Sequence, residues 1–423
     1  MRGKQDDCST ICKKIVQTGH PVFLRAIFIS EEENVMKKDK RKKIFITSIL
    51  MIVIVTSTMW IFLKINNKTV EIQASKSEFN TELEENEHMH IEEDINGEKV
   101  PVPNGYVGSR ADGENEINAG YVIYEGEEEV TNDNVEEAQK TRNQYIWVPV
   151  PDISQFYGTD ENGKKWGKLY TSNKIGFIAL NWNEVNGIMT INDKTKGMEP
   201  EINTMYDTDS NLKNLNYIAE HAFLIELEKE FNKMLECVEK YKGFYIGRYE
   251  TSNLSADDLK IVRGGANITG QSWHSLYKKC KDLRKQNDNI ETSMIWGNQW
   301  DRTLMWINES ANKTIEEIVN STGWGNYNNS SFEYINSNGA LVTKENGVNM
   351  LIPTGSSEYT KANNIYDLAG NAYEFTMETS TIYGRILRGG SAWYSGNVTS
   401  CSYRLIGMGK NPTYGCRAML YIK

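Results

Sequence analysis

One stretch constrains the fold of this chain more than any other: Asn363–Arg417, NNIYDLAGNAYEFTMETSTIYGRILRGGSAWYSGNVTSCSYRLIGMGKNPTYGCR. Eight glycines punctuate it, at Gly370, Gly384, Gly389, Gly390, Gly396, Gly407, Gly409 and Gly415, so the backbone turns back on itself repeatedly or approaches other backbone closely. Between them stand Tyr366, Tyr373, Phe375, Trp393, Tyr403 and Tyr414, together with Arg388, Arg404 and Arg417. Aromatic side chains fill volume, and each guanidinium can clamp carboxylates or carbonyls with a planar fork. The composition implies the loop-rich core of a mixed domain.

The order of the motifs is more specific. N-I-Y-D-L-A-G-N-A-Y-E-F-T, then L-R-G-G-S-A-W, then Y-R, then G-C-R-A resembles the C-terminal signature of the formylglycine-generating-enzyme (sulfatase-modifying factor) family. Upstream, Gly243–Ser252 (GFYIGRYETS) resembles an early strand of that family, and Gly297–Asp301 (GNQWD) resembles one of its helices. The likeness is good over roughly the last 180 residues and looser from Val100 onward. It implies a C-type-lectin-like scaffold.

Upstream of that body the chain changes character. Residues 1–43 hold 11 Lys+Arg against 6 Asp+Glu, whereas residues 64–423 hold 36 against 51. An acidic body argues against a nucleic-acid partner, whose phosphates need a basic face. Between them Ile44–Leu63 (IFITSILMIVIVTSTMWIFL) carries no charge, and about twenty such residues suffice for a membrane helix. Lysines and Arg41 crowd its N-terminal side, which predicts a cytoplasmic N-terminus, a cell-membrane signal-anchor and an extracellular C-terminal body. Translation is expected to start at Met36, with the preceding residues a mis-assigned start. Residues 64–99 are polar and acidic and read as a linker, with His88 and His90 as solvated members of it. The expected class is α+β: a single-pass membrane helix, an acidic stalk, and a loop-rich domain over 100–423.

Within the body, alternation predicts strands at Gly120–Tyr124 and Tyr145–Pro149. Phe223, Leu224, Leu227, Phe231, Met234, Leu235 and Val238 recur at helical spacing, predicting a helix over His221–Tyr241, with Gly243 ending it and a strand over Phe244–Tyr249. Further helices are predicted over Ser272–Leu283 and Met294–Ile307. Phe156–Asp209 and the Asn-rich Gly323–Asn338 read as loops.

No phosphate-binding loop, nucleophile elbow, zinc-protease helix or dinucleotide fingerprint is present. The resemblance is therefore the one route to an activity. Family members that make formylglycine hold copper(I) between two cysteines near R-G-G-S-W, since soft thiolates suit that ion. In the segment AWYSGNVTSCSYR that follows Arg388–Ser391, Cys401 is the only cysteine in reach. Copper is therefore not expected, and the body reads as a non-catalytic binding module for an unknown extracellular glycan, protein or cell-wall ligand. Alternatives are a divergent oxidase or a structural component of an envelope or prophage-derived assembly. Trp393, Tyr394, Asn397 and Arg404 are the expected contact residues. The resemblance further implies calcium at Asn371 and Glu374, whose oxygens suit a hard cation. It also implies a disulfide between Cys280 and Cys416, although Cys237 and Cys401 leave other connectivities open.

Overall fold

Three strands with almost no exposed side chain form the middle of the largest sheet. Gln144–Pro149 (β5), Gly243–Gly247 (β6) and Ala418–Ile422 (β12) are buried along nearly their whole lengths. Such strands need cover on both faces. In the computed structural model, which describes residues 83–423 except 160, 162, 164, 168, 171–187, 190–216, 254–258, 286, 380–384 and 408, they lie side by side. The described residues fall within one compact unit, Glu78–Lys423.

Tyr106–Gly108 (β3), Val122–Glu125 (β4) and Ile290–Met294 (β7) complete a six-stranded antiparallel sheet in the order β7-β12-β6-β5-β4-β3. Helix α1, Tyr217–Tyr241, packs on β6 and β12. Its apolar side chains Leu227, Phe231, Met234, Leu235 and Val238 are all buried, as their spacing predicts. The chain leaves α1 through Lys242 (φ 60°), while Gly243 already belongs to β6. A Cβ at Gly243 would come within 2.3 Å of the Trp147 ring, so close approach rather than helix termination requires glycine there.

Helix α2, Trp273–Asp282, is capped by the Ser272 hydroxyl, which accepts from Ser275 N. It leads into β7, and helix α3, Gly297–Glu309, follows. The predicted helix over Met294–Ile307 thus begins too early, because Ile290–Met294 extends beside β12. Trp296, Trp300 and Trp306 are buried, and Phe231 meets Trp296 with ring centroids 4.8 Å apart.

A second sheet carries the C-terminal motifs. Leu405–Gly407 (β10), Arg385–Arg388 (β9), Tyr373–Thr379 (β8) and Tyr414–Cys416 (β11) lie in that order, with β8 and β11 parallel and the other pairs antiparallel.

Three expectations are corrected. The α+β class behind a single-pass helix gives way to a mostly β domain. The loops contain short strand pairs, Tyr157–Thr159 with Lys165–Gly167 and Phe332–Ile335 with Leu341–Lys344, too short to show a period in sequence. Among the described residues no helix is long and apolar enough to cross a membrane; α1 has the length but carries Glu and Lys throughout. Ile44–Leu63 and Met36 lie outside the described residues. The linker boundary also moves: Leu83 and Met89 are buried, and Met89–Glu93 (β1) pairs with Lys99–Pro103 (β2). Asp94 Oδ1 closes that hairpin by accepting from Asn96 N and Glu98 N at 2.8 and 2.9 Å. His88 and His90 therefore belong to the folded body.

Candidate functional site

The motif residues converge on two buried charge networks. In the first, Asp301 on α3 and Glu378 on β8 face Arg388 on β9 and Arg404 just before β10. Arg388 Nη2 lies 2.5 Å from Asp301 Oδ1 and its Nη1 3.3 Å from Glu378 Oε2. Arg404 Nε donates to Glu378 Oε1 at 2.8 Å, and its Nη2 donates to Asp301 Oδ2. All four side chains are buried. Two acids opposite two guanidiniums neutralise one another, which is the condition for keeping charges out of water.

The second network has three acids and one base. Arg417 forks onto Glu374 at 2.6 and 2.9 Å, and its Nη1 and Nη2 donate to the carbonyls of Gly247 and Tyr366, each at 3.0 Å. Glu250 accepts from Ala372 N at 3.0 Å, from Asn371 Nδ2 at 2.6 Å and from Asn267 Nδ2. Asp367 accepts from Gly355 N at 2.7 Å and Thr360 Oγ1 at 2.8 Å. Burial pushes Glu374 up to about 7 against the opposing pull of Arg417. Burial, and then the charges of Asp367 and Glu374, hold Glu250 well above the usual carboxylate range.

These networks decide the fate of several expected site residues. Asn371 Oδ1 accepts from Asn326 Nδ2 at 2.9 Å and Ile352 N at 3.0 Å, while both Glu374 oxygens face Arg417. The two residues therefore serve as internal partners and do not frame an open oxygen cage. Among the described residues no cluster of three or more His, Cys, Asp or Glu side chains could hold a metal ion. Arg404 is corrected from a contact residue to a buried one, because Asp301 and Glu378 draw its fork inward.

The cysteines do not fit a copper(I) centre at Cys401. That thiol is buried and donates to Ile318 O at 3.3 Å, and burial pushes it up to about 12, far from a thiolate at neutral pH. Cys280 and Cys416 lie with sulfurs 3.6 Å apart, both as free thiols.

The other expected contact residues are where a ligand can reach them. Trp393, Tyr394 and Val398 leave 38%, 52% and 45% of their surface in solvent, and Asn397 is exposed between them. Among the described residues seven large apolar side chains are exposed, and three fall within this short loop. The loop is held from beneath: Ala392 N donates to Asn371 O at 2.9 Å, Ser321 N to Gly396 O at 3.2 Å, and Gly396 N to Asn329 Oδ1 at 3.0 Å. The Tyr394 ring leans on buried Tyr373, with centroids 5.9 Å apart. Gly390 enters the loop at φ 76°, and a Cβ there would fall 1.9 Å from Thr399 O.

Sequence reasoning missed the second half of this surface. Asn328 N donates to Tyr394 O at 2.9 Å, and Gly347 N donates to Asn328 O at 2.7 Å. Asn328 Nδ2 also donates to Asn349 Oδ1. The turn carrying Val348 (40% exposed) and Asn349 is thereby tied to the Trp393–Val398 loop. The Asn-rich run Asn326–Asn329 was the available signal, but as a run it reads only as loop.

No family model matches the chain, and no curated protein matches it significantly. Among solved structures it is similar to Treponema denticola variable protein 1, at 13% identity over 43% of this chain and 85% of that one, with a TM-score of 0.27. A likeness at that score carries no conclusion about fold or function.

Proposed function

We propose that this body is a non-catalytic binding domain and that the loop Trp393–Val398, with the adjoining turn at Val348–Asn349, is its recognition surface. The observation that carries the reading is the contrast between the two kinds of motif residue. The charged ones are spent on internal networks, while the neighbouring aromatic, amide and aliphatic side chains are exposed on a loop fixed by backbone bonds. Exposed apolar side chains clustered with amides, on a rigid base, are the composition of binding surfaces. Rigidity matters because an ordered loop loses little conformational entropy when it captures a ligand.

The buried, high-pKa thiol of Cys401 weighs against the oxidase alternative. The test is a binding screen of the full chain against saccharides, peptides and wall polymers, with Trp393→Ala and Tyr394→Ala run beside it. Binding lost in both variants at unchanged melting temperature supports the proposal. Binding that both variants retain, or turnover of a Cys-x-Pro-x-Arg peptide by copper-loaded protein, overturns it.

A further inference from the structure

The geometry points to a neutral carbohydrate as the ligand of the Trp393–Val398 surface, an inference that rests on the recognition surface proposed above. Three observations converge. First, Trp393 and Tyr394 are adjacent and exposed. Large aromatic rings are platforms for the apolar C–H faces of pyranose sugars, which otherwise present mainly hydroxyls. Second, the polar groups beside them are side-chain amides. Asn397 Nδ2 and Asn349 Nδ2 have donors without a protein partner among the described residues, and Asn328 Oδ1 is likewise left without one. A sugar hydroxyl both donates and accepts, and a set of free amide donors and acceptors matches it in both directions.

Third, the side chains hydrogen-bonded to one another here carry no charge, and Glu345 on the adjoining turn, whose carbonyl accepts from Val348 N, is an exposed acid that would repel an anionic ligand. Asn328, Asn329, Asn349, Asn397 and Thr322 surround the aromatics, while Asp301, Glu378, Arg388 and Arg404 cancel one another in the interior. A surface for phosphate, sulfate or uronate would present a guanidinium or ammonium to the ligand. The cations at hand are turned inward: Lys344 Nζ is buried and donates to Tyr327 O and Ser330 O, and Arg404 is buried between Asp301 and Glu378. Trp393, Tyr394 and Val398 stand partly in solvent on one loop, so the surface suits a short run of an exposed polymer.

The experiment uses the full chain and hexasaccharides of glucose, mannose, galactose and N-acetylglucosamine, with oligogalacturonate as the charged counterpart. Titration calorimetry measures binding to wild type, Trp393→Ala and Asn397→Ala, and melting curves confirm that each variant folds. The expected result is saturable binding of at least one neutral hexasaccharide. Each substitution should weaken it by about tenfold or more, and oligogalacturonate should bind no better. No binding of any neutral hexasaccharide at millimolar concentration overturns the carbohydrate assignment. Preferential binding of oligogalacturonate overturns it as well. If neither saccharide class binds but a peptide or protein does, in a manner sensitive to Trp393→Ala, the carbohydrate fails while the recognition surface stands.

Discussion

Replacing Arg404 by Met separates an internal role from a surface role. Met keeps most of the aliphatic stem and removes the fork, so Asp301 and Glu378 would share Arg388 alone. All of these groups are out of water. Removing one member of a buried pair leaves an uncompensated charge, at a cost of about 3–5 kcal/mol. A folded body of roughly 340 residues has an unfolding entropy near 0.7 kcal/mol/K, so that loss lowers Tm by about 5 °C. The assay is denaturant and thermal unfolding of the full chain followed by tryptophan fluorescence, which reads the buried Trp296, Trp300 and Trp306. Trp393→Ala provides the contrast, because an exposed side chain changes stability by only about 0.5 kcal/mol. If Arg404→Met costs less than about 1 kcal/mol, the buried network is wrong and Arg404 returns to the surface.

The acid trio gives a pH prediction. Glu374 is held near 7 in the folded chain against about 4.3 unfolded, so the native state keeps a proton that the unfolded state releases in that window. Stability from this group is present below about pH 4.3 and falls as pH rises toward 7. The stability of wild type minus that of Glu374→Gln should therefore decrease between those values in urea titrations; an increase refutes the assignment. Chelator and added calcium should leave Tm unchanged, since Asn371 Oδ1 and both Glu374 oxygens already have protein partners, and a chelator-induced drop in Tm would contradict this. Gly390→Ala should both destabilise the chain and abolish ligand capture, because its Cβ would displace the Thr399 carbonyl at the base of the recognition loop. Wild-type melting and binding by that variant would show that the loop entry is not constrained as described.

Much of the interior was legible in the sequence. Apolar spacing over Leu227–Val238 identified the buried face of α1, and the runs at Tyr145–Pro149 and Phe244–Tyr249 identified central strands, the latter running past the end of β6 at Gly247. Periodicity suffices there because a long element repeats the same geometry at every turn or pleat. Strands of two to four residues give no such repeat, which is why the Asn-rich loop expected over Gly323–Asn338 hid the strand Phe332–Ile335. The same limit made an α+β body seem the natural reading of what is mostly β.

By itself the sequence determined which residues matter: the acids, arginines, glycines and aromatics of the C-terminal motifs are the ones that organise the fold. Only the tertiary structure decided which way each side chain is used. Arg404 and Trp393 lie eleven positions apart and look equally suited to a ligand, yet one is enclosed by Asp301 and Glu378 and the other is exposed. Asp301 lies 103 residues from its Arg404 partner, and Glu250 lies 121 residues from Asn371. The preference of a guanidinium for solvent or for a carboxylate depends on which charges fold up against it, and no local pattern records pairings at that separation.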